Sequence, residues 1–150
     1  MLVATAADEG RGSFSPDGRF FAFQSNETGQ YEVKVREVSS GRTFPVSTSI
    51  RGGESPRWSQ DGMEIYYRPG RSPGILVAEV VMDPFSASEP LELSDIAMRI
   101  FANFDVTANG QRFLVTVPVG GGTGGTAPGQ RLNVILNWFE ELKQRVPTGR

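Results

Sequence analysis

The sequence contains neither cysteine nor histidine. Without cysteine, disulfide bonds and thiolate metal sites are excluded. Without histidine, the Ser-His-Asp and Cys-His nucleophilic arrangements, the usual zinc ligand sets and the commonest general base at neutral pH are excluded as well. Any catalysis would have to rest on carboxylates, lysine or tyrosine. We therefore expect a protein that is not an enzyme and that holds neither a metal ion nor a cofactor.

The chain also lacks long apolar runs and an excess of basic residues. No run of about 18 apolar residues occurs, so we expect no insertion of this segment into a membrane. Residues 1–12 lack the basic segment and apolar stretch of a signal peptide. The formal net charge of −2 over 150 residues gives no electrostatic reason to expect nucleic acid as a partner.

One short turn motif occurs three times in the sequence, as Ser-Pro-Asp-Gly, Ser-Gln-Asp-Gly and Thr-Ala-Asn-Gly. Ser59 follows Ser15 by 44 residues, and Thr107 follows Ser59 by 48. Periods of about 40–50 residues with one hairpin turn in each unit are typical of propeller blades built from four antiparallel strands. Asp or Asn followed by Gly tolerates the positive φ that such turns require. A structural turn role is therefore predicted for six residues: Asp17, Gly18, Asp61, Gly62, Asn109 and Gly110.

Apolar residues recur at fixed distances after each turn, which predicts repeated core positions in a strand. The first such position holds Phe21, Ile65 and Phe113. Two residues further along, the same strand face continues with Phe23, Tyr67 and Val115. The intervening residues Ala22, Tyr66 and Leu114 are apolar too. Both faces of each blade are therefore expected to be buried between neighbouring blades.

The turns divide the chain into three blades at residues 13–50, 51–98 and 99–137. Residues 1–12 are expected to hold the outer strand of a preceding blade, at 2–6, and a loop. The outer strand of blade two is expected near 90–93, where Pro90 suits an edge strand. Asn137 resembles a helix N-cap, and apolar spacing predicts a short C-terminal helix at 138–146.

The predicted fold is therefore all-β: three four-stranded antiparallel blades of an incomplete propeller ring, followed by that helix. Blade three has no outer strand of its own in the sequence, whereas residues 2–6 form an outer strand without a blade. We expect the remaining blades, or a second copy of the chain, to complete the ring.

Two segments resemble known families. Residues 14–35, FSPDGRFFAFQSNETGQYEVKV, resemble the TolB-like, WD-like β-propeller repeat. The ending NVILNWFEELKQRVPTGR is similar to the C-termini of bacterial proteins in which such a propeller follows a eukaryotic-like Ser/Thr protein kinase domain. The resemblance implies a ring of six or more blades that serves as an interaction platform in a parent protein outside the cytoplasm. The chain itself has no His-Arg-Asp or Asp-Phe-Gly kinase motif.

Two other parent proteins fit the turn motifs. One is a periplasmic TolB-type adaptor, which the turns do not separate from the kinase-linked case. The other is a peptidase of the prolyl-oligopeptidase type with a propeller in front of its catalytic domain. That enzyme needs a histidine, which this chain lacks.

The candidate interaction face lies where the chain runs into the innermost strands of blades two and three. These strands line the central channel of a propeller, and the loops leading into them form one face of the ring. A protein or a small ligand is the expected partner. The alternative interpretation is a set of scattered, solvated charges. The candidate residues are Arg51, Glu54, Arg57, Arg99, Asn103 and Asp105.

Overall fold

A computed structural model describes residues 7–93, 104–107, 112–118 and 130–136, and of residues 116–118 and 130–136 the backbone alone. Every element in these ranges is a β-strand, and all strand pairs are antiparallel. The all-β blades expected from the sequence are thereby confirmed. The strand predicted at 2–6 and the helix predicted at 138–146 lie outside these ranges. Within them, no helix is long and apolar enough to cross a membrane.

Blade one is a four-stranded sheet whose strands follow one another in chain order. Its innermost strand begins at Glu9, inside residues 1–12, which were expected to hold the outer strand of a preceding blade and a loop. The alternation of buried and less buried side chains in the third strand reflects the two-residue period of a strand. The strands are β1 (Glu9–Phe14), β2 (Phe20–Ser25), β3 (Glu32–Glu37) and β4 (Thr43–Pro45).

Blade two has the same order, but its outer edge is divided into two short strands that both pair with the third strand. Its strands are β5 (Glu54–Trp58), β6 (Glu64–Arg68), β7 (Leu76–Met82), β8 (Phe85–Ala87) and β9 (Leu91–Glu92). β8 pairs with the end of β7, and β9 with its beginning. Pro90, which has no N–H to donate, falls in the interruption between them.

Blade three contributes three strands in the described part of the chain, in the order β10, β11, β12. They are β10 (Phe104–Val106), β11 (Arg112–Pro118) and β12 (Gln130–Leu136). Phe104 opposes Val115 and Val106 opposes Phe113, the register that the turn at Thr107 requires.

Both faces of blade two are buried, as the apolar pattern predicts. On one face, Ile65 and Tyr67 belong to a core shared with blade one, which contributes residues such as Phe20 and Val35. On the other, Tyr66 belongs to a second core shared with blade three. The Tyr66 and Phe113 rings meet edge to face there, with centroids 5.3 Å apart.

The innermost strands of blades one and two carry the same irregularity at the same place in the repeat. The register shifts between Gly10 and Ser13 in β1, and between Glu54 and Arg57 in β5. Within each shift lies a non-glycine residue with positive φ: Arg11 at 50° and Ser55 at 56°. A β-bulge bends its strand and redirects the side chains that follow. It therefore sets the direction of the next residues along both innermost strands.

Candidate functional site

The leading end of the blades is the end at which β1, β5 and β10 begin, and the turn end is where these strands run into the repeated turns. At the turn end of blade one, the Ser15 hydroxyl donates to Asp17 at 2.6 Å and accepts the Phe20 N–H at 3.0 Å. Asp17 also accepts the Arg19 N–H, and Gly18 takes a φ of 71°. The Ser15 hydrogen bond holds the pKa of the Asp17 carboxyl below its usual value.

Blade two repeats this turn bond for bond. Ser59 donates to Asp61 at 2.7 Å and accepts the Glu64 N–H at 2.9 Å, while Gly62 has a φ of 74°. The Ser59 hydrogen bond likewise lowers the pKa of Asp61. In blade three the Thr107 hydroxyl accepts the Arg112 N–H at 3.1 Å. Asn109 and Gly110 lie outside the described residues.

At the leading end, two of the candidate residues form ion pairs within blade two. The Arg51 guanidinium lies 2.7 Å from Glu92 on the outer strand β9, well away from the innermost strand. Glu54 pairs with Arg68 of β6 at 2.6 Å, and these side chains are only 21% and 14% exposed. This second pair ties the start of β5 to β6.

The third pair joins two blades. Arg57 Nε lies 3.7 Å from the Asp105 carboxylate, with the side chains 33% and 70% exposed. The two residues stand 48 positions apart, which is the spacing of their turns, and Ser13 occupies the same repeat position in β1. We call these three residues, Ser13, Arg57 and Asp105, the inner row. The candidate residues Arg99 and Asn103 lie outside the described residues.

The inner row is tied into its neighbours by hydrogen bonds between blades one and two. Ser13 Oγ donates to the Pro56 carbonyl at 3.3 Å, and the Trp58 indole donates to the Ser13 carbonyl at 3.2 Å. Just before the row, the Arg11 guanidinium donates to the Ser55 hydroxyl at 3.3 Å. These bonds tie the innermost strands β1 and β5 together beside the row.

The sequence analysis did not identify a cleft of about 960 Å³ at the turn end, between blades one and two. Its lining comes from both repeated turns and from the β7–β8 hairpin. Only the 44-residue repeat spacing of the turns hinted that they would lie side by side.

One sequence motif was also overlooked. Residues 70–74 read Gly-Arg-Ser-Pro-Gly, which formally matches the Gly-x-Ser-x-Gly nucleophile elbow. An elbow requires a strand that turns sharply into a helix. Here the segment is an exposed loop from β6 to β7, that is, from strand to strand. The motif therefore lacks the geometry that activates a serine.

Neither a protein-family model nor a curated protein sequence significantly matches the chain. Solved structures do match its fold. TolB from Acinetobacter baumannii superposes with a TM-score of 0.61 at 17% identity, over 86% of this chain and 29% of that one. An oligogalacturonate lyase from Vibrio parahaemolyticus superposes with a TM-score of 0.65 at 11% identity, over 90% of this chain and 40% of the lyase. A TolB-like protein from Agrobacterium tumefaciens superposes with a TM-score of 0.58 at 15% identity, over 90% of this chain and 47% of that protein.

These likenesses define the class of fold: consecutive blades of a TolB-like β-propeller. The chain spans less than half the length of each of these structures. At such low identity the comparison concerns the fold alone, since one propeller architecture carries many unrelated functions.

Proposed function

We propose that this chain is a non-catalytic part of a β-propeller in a larger protein, and that it presents a protein-binding or ligand-binding surface. The inner row carries the proposal. It places Arg57 and Asp105 on adjacent innermost strands, across a blade boundary, with the carboxylate mostly exposed. Innermost strands face the channel in which propellers bind partners.

The exposure of the pair supports binding rather than stability as its purpose. Exposed ion pairs stabilise proteins by only about 0.2–1 kcal/mol. An Arg and an Asp held side by side offer a donor and an acceptor to an approaching polar group, and preorganised groups lower the entropy that binding costs. The repeated bulge before the row sets the direction of β1 and β5.

A larger ring is supported by the open face of blade one. In the repeat, Phe14, Phe21 and Phe23 of blade one correspond to Trp58, Ile65 and Tyr67 of blade two. Blade one covers those three residues of blade two. Phe14 is nevertheless 51% exposed and Phe21 is half-buried, whereas Phe23 is buried. By the repeat, this aromatic face is completed by a further blade, supplied by the rest of the parent protein or by a second copy.

The parent protein we propose is a bacterial Ser/Thr kinase whose C-terminal propeller lies outside the cytoplasm. The ending from Asn133 to Arg150 supports this choice through its similarity to such C-termini. A TolB-type adaptor is the second candidate, favoured by the superposition on TolB from A. baumannii.

Site-specific photocrosslinking in the complete parent protein tests the binding surface. A photoreactive amino acid replaces Asp105 in one variant and Val38, which is exposed in blade one, in the control. We expect a discrete crosslinked product from position 105 alone, and its loss when Arg57→Glu is added. Equal products from both positions would contradict the proposal. The complete coding sequence separates the two parents, since only a kinase carries the His-Arg-Asp and Asp-Phe-Gly motifs.

A further inference from the structure

The cleft at the turn end is a separate feature, and its lining includes no residue of the inner row. Three parts of the chain enclose it: the turn at Pro16 and Asp17, the turn at 59–64, and the β7–β8 hairpin. Its volume of about 960 Å³ lies at the upper end of the range for ligand sites. It can therefore accommodate several residues of an extended peptide.

The floor of the cleft is apolar and closely packed. A Cβ atom at Gly62 would lie 2.6 Å from Met82 Cε and 3.5 Å from Pro16 Cδ, so the two turns and the hairpin meet at this point. Above this floor, Met63 and Val81 leave 64% and 57% of their surface exposed. Large apolar side chains that line a concave surface are a feature of binding sites.

The charged residues that the structure describes in the cleft all have one sign. Its lining holds four carboxylates and none of the described lysines and arginines. The four are Asp17, Asp61, Glu64 and Glu79. Asp17 and Asp61 stay ionised because the serine hydrogen bonds lower their pKa values. The Glu64 carboxylate accepts a hydrogen bond from the Tyr66 hydroxyl. The Arg19 guanidinium, which is not part of the lining, lies 4.0 Å from the Asp17 carboxylate. A concave wall of one charge concentrates its field on the space that it encloses.

We propose that this cleft binds a basic peptide segment of a partner protein, in which lysine or arginine alternates with apolar residues. The aliphatic stems would lie along Met63, Val81 and Met82, while the cationic heads reach the carboxylates. A second copy of this chain is a poorer occupant, since its own net charge is −2. The site does not depend on the inner row, so each proposal can fail without the other.

Fluorescence anisotropy with the full chain tests the charge preference. The probes are a labelled Lys-Leu-Lys-Leu-Lys peptide and its Glu-Leu-Glu-Leu-Glu counterpart. We expect binding of the basic peptide alone, weakened as NaCl is raised from 50 to 300 mM. Glu79→Lys should weaken it about tenfold, because like charges placed together oppose binding. Glu27→Lys makes the same charge change on an exposed side chain of the β2–β3 hairpin, at the leading end of the blades and outside the lining. This control should retain affinity within about twofold, and Arg57→Glu should retain it too.

NMR of the wild-type protein with 13C-labelled methionine methyl groups locates the peptide even if a variant fails to fold. Of the four methionines, Met63 and Met82 line the cleft, and Met1 and Met98 lie outside the described residues. Shifts of the Met63 and Met82 signals that saturate with added basic peptide would support the proposal. Four outcomes would overturn it: equal binding of both peptides, no binding at millimolar peptide, equal losses in the two charge reversals, or unmoved Met63 and Met82 signals.

Discussion

Ser15 and Ser59 make the same hydrogen bonds 44 residues apart. Each hydroxyl donates to the Asp two positions on, at 2.6 and 2.7 Å, and each accepts the backbone N–H five positions on. In blade three, Thr107 accepts the corresponding N–H. The repeated element is therefore a hydroxyl-centred network that closes each turn, with the Asp-Gly pair as one part of it.

Ser59→Ala should destabilise the protein by about 1–2 kcal/mol, because it leaves the part-buried Glu64 N–H without its acceptor. Ser59→Thr should cost less, since threonine already fills this position in blade three. Urea unfolding followed by tryptophan fluorescence measures both. The network would be unimportant for stability if the alanine variant unfolded at the same urea concentration as the wild type.

Asp61 predicts a pH dependence of stability. Its pKa is lowered in the folded state, chiefly by the Ser59 hydroxyl and then by the Met63 N–H. A lowered pKa means that the carboxylate stabilises the fold above its unfolded value of about 3.9, and that this stabilisation is lost as the pH falls through the folded pKa. Asp61→Asn should therefore destabilise the protein at pH 7, and the difference from the wild type should shrink below about pH 4.

The measurement is urea unfolding at pH 7, 5, 4 and 3. Glu89→Gln, which neutralises an exposed carboxylate outside the turn, serves as the control and should stay near the wild type throughout. A difference for Asp61→Asn that does not change between pH 7 and pH 3 would show that ionisation of this residue is irrelevant.

Most of the fold was predictable from the sequence because the repeat supplies three aligned copies of one pattern. The apolar positions after the first turn place Phe21 and Phe23 in one strand, which forms at Phe20–Ser25. The outer strand of blade two was expected near 90–93 and includes Leu91–Glu92. The companion strand Phe85–Ala87 was not predicted. It pairs with Val80–Met82, the part of β7 that continues beyond the pairing with β6, and the sequence does not show how far β7 continues.

The sites were harder to predict because they depend on which side chains the blades bring together. Arg51 and Arg57 lie six positions apart, yet one pairs with the outer strand and the other with blade three. The bulges at Arg11 and Ser55 carry no glycine at the positive-φ position, so no local rule reveals them. The cleft combines turns 44 residues apart with a hairpin, and no single segment encodes it.

Adjacent tyrosines in β6 should respond in opposite ways to loss of the hydroxyl. The Tyr67 hydroxyl is buried and has no hydrogen-bond partner among the described residues, whereas the Tyr66 hydroxyl donates to Glu64. Tyr67→Phe should raise the free energy of unfolding by about 1 kcal/mol, since a buried unsatisfied group is removed. Tyr66→Phe should lower it by about 1 kcal/mol. Thermal and urea unfolding of both variants check this, and a large loss in Tyr67→Phe would reveal an unrecognised partner.

Gly53 is a position where the blades approach too closely for a side chain. A Cβ there would lie 2.9 Å from both Ser47 Cβ and Val33 Cγ2. Gly53→Ala should therefore destabilise the protein by about 1–3 kcal/mol, the usual cost of overpacking. Gly10→Ala is the matched control, because no atom of the described residues lies within 4 Å of its Cβ position. Comparable unfolding midpoints for the two variants would contradict the close contact.

The link between Arg57 and Asp105 should contribute little to stability even though it joins two blades. The atoms lie 3.7 Å apart and the carboxylate is 70% exposed, and coupling between such charges is usually about 0.2–1 kcal/mol. A double-mutant cycle with Arg57→Ala and Asp105→Ala, measured by urea unfolding, should give a coupling free energy in this range, smaller in 0.5 M NaCl. The same cycle on Arg68 and Glu54, which are far less exposed, should give a larger value that salt changes less. A strong, salt-insensitive coupling between Arg57 and Asp105 would mean that the pair holds the blades together, and it would remove the main support for a binding role.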